Sequence, residues 1–146
     1  MKGPPLPIGV YGHAMINLGN EKIILIGGLT GSNLSQTLKQ TFVYNHNHSV
    51  WSSGPALNQA RFYHAVGIVT DEATQEKFVF VAGGTKGSGM NLNSTEILIN
   101  QTFSFGKTHE AIQGLDFFSA QVWYKNAKRI HIKALIISPG FHFYGI

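Results

Sequence analysis

Cysteine is missing from this 146-residue chain, and with it go disulfides, thiol catalysis and cysteine-based zinc sites. Charge is scarce too: Asp, Glu, Lys and Arg make up 12% of the residues, against roughly 25% in ordinary globular proteins. Such a surface meets its surroundings through uncharged polar loops or through a partner. No uninterrupted apolar span is long enough to cross a bilayer, and the opening Met1-Lys2-Gly3-Pro4-Pro5 has no apolar signal core. The expectation is a cytoplasmic chain that does not engage a membrane. Asn33, Asn47, Asn93 and Asn100 each begin an Asn-x-Ser/Thr triplet, but without a secretory signal they read as turn residues. A nucleophile elbow, a phosphate loop and an HExxH pair are absent as well. Gly83-Gly84-Thr85-Lys86-Gly87-Ser88-Gly89 is glycine-rich, yet it lacks the spacing and the following helix of a phosphate-binding loop. No catalytic residue and no cofactor is expected.

The net charge is +4, which raises the question of nucleic acid. Its densest basic group, Lys125, Lys128, Arg129 and Lys133, interleaves with apolar positions and forms no stripe. A solvated strand edge blunted by lysines fits it better, and nucleic acid is not expected as a partner. Seven histidines invite a metal. His46 and His48 have the closest spacing, but they sit in a turn without a third ligand nearby in sequence, and no metal is expected.

What the chain does have is apolar residues (43%), aromatics (12%) and seventeen glycines. That is enough for a packed core, and glycine among β-branched and aromatic residues favours short strands joined by tight turns. An all-β fold is expected. The organising stretch is Lys22-Ile23-Ile24-Leu25-Ile26-Gly27-Gly28, an apolar run closed by a glycine pair. It returns as Lys77-Phe78-Val79-Phe80-Val81-Ala82-Gly83-Gly84 and, worn, as Leu135-Ile136-Ile137-Ser138-Pro139-Gly140, so that Gly28, Gly84 and Gly140 fall at equal intervals. A period of about 50 residues marks a repeat architecture. The linkers repeat too: Gly3-Pro4-Pro5-Leu6 matches Gly54-Pro55-Ala56-Leu57, and the match runs without a gap to His13-Ala14 and His64-Ala65.

Each module reads as four strands. The first has strands over 13–17, 22–26, 40–44 and 50–53, with a long polar loop over 29–38. The second has strands over 63–69, 77–82, 95–99 and 102–105. The glycine pairs are expected to serve a sharp exit or a close backbone approach that a Cβ would block.

These residues resemble the Kelch family. The glycine pair Gly27-Gly28 after an apolar strand, Tyr44 and Trp51 with six residues between them, the Pro55-x-Leu57 linker, Arg61, and Glu96 of Ser94-Thr95-Glu96-Ile97 all look like Kelch positions. The match covers residues 3–105 well and 117–140 faintly. Kelch repeats form β-propellers, one four-stranded antiparallel blade per repeat. The resemblance therefore implies an incomplete propeller: 1–12 a linker entering the first blade, 13–53 blade 1, 54–62 a linker, 63–106 blade 2, and 107–146 a degenerate, incomplete third blade and tail. It further implies Gly27, Gly28, Tyr44, Trp51, Gly83, Gly84 and Glu96 as the structural signature of the repeat. Uncovered blade faces would favour self-association.

By the same resemblance, contacts fall on the loops between second and third strands and on the linkers between blades. That points to Leu29, Thr30 and Asn33, to Thr85, Lys86 and Ser88, and to Arg61 with Tyr63. Arg61 heads the set because a guanidinium offers a planar fork to a partner carboxylate; its other reading is packing and hydrogen bonding against a neighbouring blade. The family's commonest roles imply a non-catalytic protein-interaction module, as in substrate receptors of cullin ubiquitin ligases, where a separate BTB domain docks the ligase, or actin-associated scaffolds. Two alternatives stand beside it. One is a fragment of a small-molecule or sugar-handling Kelch enzyme, although the copper oxidases that resemble galactose oxidase need a tyrosine crosslinked to cysteine. The other is a truncated product without independent function.

Overall fold

A computed structural model describes residues 3–70, 77–88, 90–99 and 102–105. Those residues form antiparallel β-sheet, with one short 3-10 turn over Ser32–Leu34 and no α-helix among them. The strands are β1 (Ala14–Gly19), β2 (Lys22–Ile26), β3 (Leu29–Thr30), β4 (Gln36–Thr37), β5 (Thr41–Asn45), β6 (Val50–Ser53), β7 (Ala65–Thr70), β8 (Lys77–Ala82), β9 (Thr95–Ile99) and β10 (Thr102–Phe105). They assemble into a first sheet ordered β1-β2-β5-β6, a second ordered β10-β9-β8-β7, and the small β3-β4 hairpin. Each four-stranded sheet is thus a meander of neighbours in sequence, and neither closes on itself. The third module, 107–146, lies outside the described residues.

Local chemistry sets the turns. β1 and β2 join through Asn20 and Glu21, both with positive φ (48° and 58°), and Gly19 pairs with Lys22 across them. Two such residues give a hairpin turn whose twist matches the strands. β5 and β6 join through His46–Ser49, where Asn45 pairs with Val50 and Ser49 N–H donates to the His46 carbonyl at 3.1 Å. The segment between β2 and β5 departs from the expected unstructured loop: it folds back as the β3-β4 hairpin, because Leu29 and Thr30 find partners in Thr37 and Gln36.

The core lies between the two sheets. Ile24 and Ile26 of β2 meet Val79 and Val81 of β8, with Leu57 of the linker among them and Ile16, Val43, Val66, Ile68 and Leu98 packed around. The four central side chains are at most 3% exposed, and each contributes on the order of 1.5–3 kcal/mol by leaving water. Register explains the selection. Ile16, Ile24 and Val43 are directly paired and so share one face, while Ile23 and Tyr44 pair on the opposite one. Trp51 pairs with Tyr44 on that opposite face, its ring 5.1 Å from the tyrosine's. It is half-buried, so it packs on its neighbour at the sheet's outer edge and does not fill the core between the sheets.

Candidate protein-contact face

Both glycine pairs end a buried strand and turn the chain into a loop at the same end of the molecule. Gly27 and Gly28 have φ of +57° and +106°, and a Cβ on Gly27 would lie 2.5 Å from the Arg61 carbonyl oxygen. Gly84 has φ of +83°, and its Cβ would lie 2.5 Å from the Phe62 carbonyl oxygen. Both carbonyls belong to the second linker, which is pressed onto two glycines that no larger residue could replace; against the first linker, a Cβ on Gly28 would lie 3.0 Å from the Tyr11 carbonyl oxygen. The backbone repeats the arrangement bond for bond. Tyr11 and Leu29 exchange hydrogen bonds of 2.9 and 2.7 Å, as Phe62 and Thr85 do at 2.9 Å each; Leu38 N–H donates to Gly28, as Leu92 N–H does to Gly84, at 2.8 and 2.7 Å.

The two loops so positioned touch one another: the Thr37 hydroxyl donates to the Lys86 carbonyl at 3.0 Å. The Thr30 hydroxyl ties the first loop to the Gly9 carbonyl at 2.7 Å. Between the loops, Tyr11 and Tyr63 meet edge to face with ring centroids 5.5 Å apart, and Phe62 leans on Tyr63 at 5.0 Å. Hydrogen bonding to Tyr11 raises the pKa of the Tyr63 phenol above its ordinary value, with burial adding to the effect. Asn33, Leu34, Tyr63 and Ser88 all have positive φ near 50–70°. That conformation is uncommon for bulky residues, and it gathers where loops are shaped for contact. The resulting surface presents Tyr11, Leu34 and Met90, each nearly half exposed, beside exposed Asn33, Lys86 and Ser88.

Beneath it, the guanidinium of Arg61 is 0% exposed. Of the two readings of this residue the structure selects packing, and the expected fork toward a partner carboxylate is corrected accordingly. Nη1 donates to the carbonyls of Gly83 (2.7 Å) and Ser94 (3.1 Å), and Nη2 donates to the Ser94 hydroxyl (3.1 Å) and to Oε1 of Glu96 (2.9 Å). Glu96, itself 0% exposed, also accepts from the linker amides of Asn58 (2.7 Å) and Gln59 (3.0 Å). Burial pulls the Arg61 pKa below its ordinary value and Glu96 pushes it back; a guanidinium held this way stays charged. The backbone of Arg61 reaches the first sheet as well, donating to Leu38 at 3.2 Å and accepting from Gly28 at 2.9 Å. Thr85 is corrected for a similar reason. It is 7% exposed and its hydroxyl donates inward to the Met90 carbonyl at 3.0 Å.

His13 and His64 flank the glycine pairs. The His64 imidazole lies over Gly27, and burial, with the nearby charges of Arg61 and His13, lowers its pKa to about 3. Burial lowers that of His13 too. Among the described residues no group of three or more His, Asp or Glu could hold a metal, and His46 and His48 are exposed in their turn, the His46 ring edge-on to that of Tyr44. A hollow of about 300 Å3 opens elsewhere, at Lys22, Val43, Asn45, Ser52, Ser53, Gly54 and Pro55. It brings together no acid and base.

Of the residues expected at a contact face, the structure places Leu29, Thr30, Asn33, Tyr63, Lys86 and Ser88 at this end of the molecule with some surface open, and withdraws Arg61 and Thr85. Tyr11, Leu34 and Met90 were not among the expected contacts. For Leu34 and Met90 the available signal was a large side chain in a loop rich in Gly, Ser, Thr and Asn. No family model matches the chain, and no curated protein matches it. No helix among the described residues is long and apolar enough to cross a membrane.

Proposed function

We propose that this chain is a non-catalytic, cytoplasmic protein-recognition module of Kelch type, whose two sheets are blades of a β-propeller and whose loop end meets a protein partner. The observation that carries the reading is the joint surface made by two repeat-equivalent loops. It sets Tyr11, Leu34 and Met90, each nearly half exposed, around the Tyr11–Tyr63 ring contact, on a base stiffened by the Arg61–Glu96 ion pair. Aromatic residues and methionine on a rigid base are what protein interfaces favour, whereas lysine and carboxylates are depleted there. A substrate receptor of a cullin ubiquitin ligase and an actin-associated scaffold would both use such a face.

The test is affinity capture by the full chain, compared with a Leu34→Asn, Lys86→Glu, Met90→Ser variant. Those three positions carry no share of the core, so circular dichroism and the melting midpoint should stay within about 2 °C. Loss of a specifically captured protein from the variant supports the reading. Retention of the same protein at the same yield would overturn it.

A further inference from the structure

The strand β6 is bonded along one side and bare along the other. In an antiparallel ladder, residues that bond a neighbouring strand alternate with residues that turn their N–H and C=O the opposite way. Just past β6, Gly54 N–H donates to the Thr41 carbonyl at 2.9 Å, so Thr41 and Gly54 are a bonded pair. By alternation Val43–Ser52 and Asn45–Val50 are bonded as well, and Trp51 and Ser53 aim their backbone groups away from β5. The far side of β5 agrees. Gly27 N–H donates to Gln40 at 3.1 Å and His46 N–H to Glu21 at 2.9 Å, which makes Phe42 and Tyr44, the partners of Ser53 and Trp51, the residues turned toward β2. Among the described residues no strand or loop meets the outward N–H and C=O groups of Trp51 and Ser53.

A free edge is a template for another strand, and chains that must stay apart blunt it with lysine, proline or a bulge. This edge carries none of these. No Asp, Glu, Lys or Arg occurs between Lys39 and Arg61, and the next proline, Pro55, follows the strand. The pairing of β5 with β6 runs in unbroken register. Val50 is 49% exposed, and Ser52 and Ser53 are exposed too. The other sheet edges differ: β1 and β7 lie against each other, and β10 leads toward 106–146, outside the described residues.

We propose that the outer edge of β6 pairs antiparallel with the same edge of a second copy, about a two-fold axis at Ser52. The outward groups are then self-complementary: Trp51 of each copy exchanges two hydrogen bonds with Ser53 of the other, and the two Ser52 residues face each other at the axis. Side chains fit the same register. Each indole lies beside a serine, and no like charges are brought together. An axis at Trp51 would oppose the two indoles, and an axis at Ser53 would oppose Trp51 to Pro55, which has no N–H to give. Pairing about Ser52 is the register that uses every outward group. The inference shares no residue with the loop end, so it stands or falls apart from that reading.

Sedimentation equilibrium of the full chain should show a monomer–dimer equilibrium with a Kd on the order of 10–100 µM, because strand pairing buries little area beyond its backbone bonds. Ser52→Lys sets two ammonium groups opposite each other at the axis and should weaken the dimer roughly tenfold or more, with circular dichroism unchanged. Ser52→Glu should do the same. An equimolar mixture of the Ser52→Lys and Ser52→Glu chains should regain the dimer, because opposite charges then meet. A natural chain that stays monomeric at about ten times that Kd would overturn the proposal. So would association that Ser52→Lys leaves unchanged, or a mixture no tighter than either variant alone. A series of oligomers growing past two and sensitive to Ser52→Lys would overturn it as well, by assigning the edge to β10 of the next copy.

Discussion

The two linkers of this molecule begin from closely similar sequences, Gly3-Pro4-Pro5-Leu6 and Gly54-Pro55-Ala56-Leu57, and are fastened differently. In the linker of the second sheet, Arg61 and the amides of Asn58 and Gln59 close on Glu96, and Leu57 is 3% exposed in the core. In the first, Val10 stands for Arg61, Pro7 for Asn58, and Phe42 for Glu96, while the counterpart leucine, Leu6, is 40% exposed. Glycine-pair geometry and the Tyr11–Leu29 bridge survive in both. The backbone rules of the repeat thus hold without the ion pair. The ion pair belongs to the sheet whose Val79 and Val81 face packs against the other sheet.

Four experiments break or sharpen that contrast. Glu96→Ala would strand a buried guanidinium and three donors, and should cost about 3–5 kcal/mol in chemical denaturation; a loss under 1 kcal/mol would mean that water reaches Arg61. Gly84→Ala and Gly28→Ala should each cost about 1–3 kcal/mol, because both positions combine positive φ with a linker carbonyl in the way. Equal costs would show the shared backbone rule, and a tolerant Gly28 would show a looser first linker.

The third concerns pH. His64 titrates near its ordinary value of 6.5 when unfolded and at about 3 when folded, so the unfolded chain binds the extra proton. Stability is full above pH 6.5 and falls as pH drops toward 3, by up to roughly 1.4 kcal/mol per pH unit. His64→Gln should flatten that limb of a pH series of denaturation curves. The smallest effect should come from transplanting the pair to the first sheet. Val10→Arg with Phe42→Glu should gain less than about 1 kcal/mol, because both positions are only half-buried and leave the charges partly solvated.

Much of the fold was legible in the residues. The apolar run closed by two glycines located β2 and β8 to the residue, and their place in the repeated module located β9 and β10. Local pattern suffices there because strand register and burial follow the side-chain period. The β3-β4 hairpin was not legible: two-residue strands carry no period, and their partners are set by the turn at Ser32–Leu34. The contact face was half legible. Loop position pointed to Asn33, Lys86 and Ser88, but Arg61 could be assigned only once Glu96 was seen 2.9 Å away from its guanidinium, a contact spanning most of the second sheet in sequence. Exposure of Tyr11 and Met90 depends on how two loops from different repeats abut, which no single stretch encodes.

Amide hydrogen exchange on the intact chain tests the contrast between the linkers most directly. The amides of Asn58 and Gln59, which donate to Glu96, should be protected to nearly the level of the Glu96–Leu98 strand amides, and the amide of Ile8 at the counterpart of Gln59 should exchange at least a hundredfold faster, a gap of about 2.7 kcal/mol. Equal protection of Gln59 and Ile8 would contradict the claim that the buried carboxylate fastens one linker and not the other.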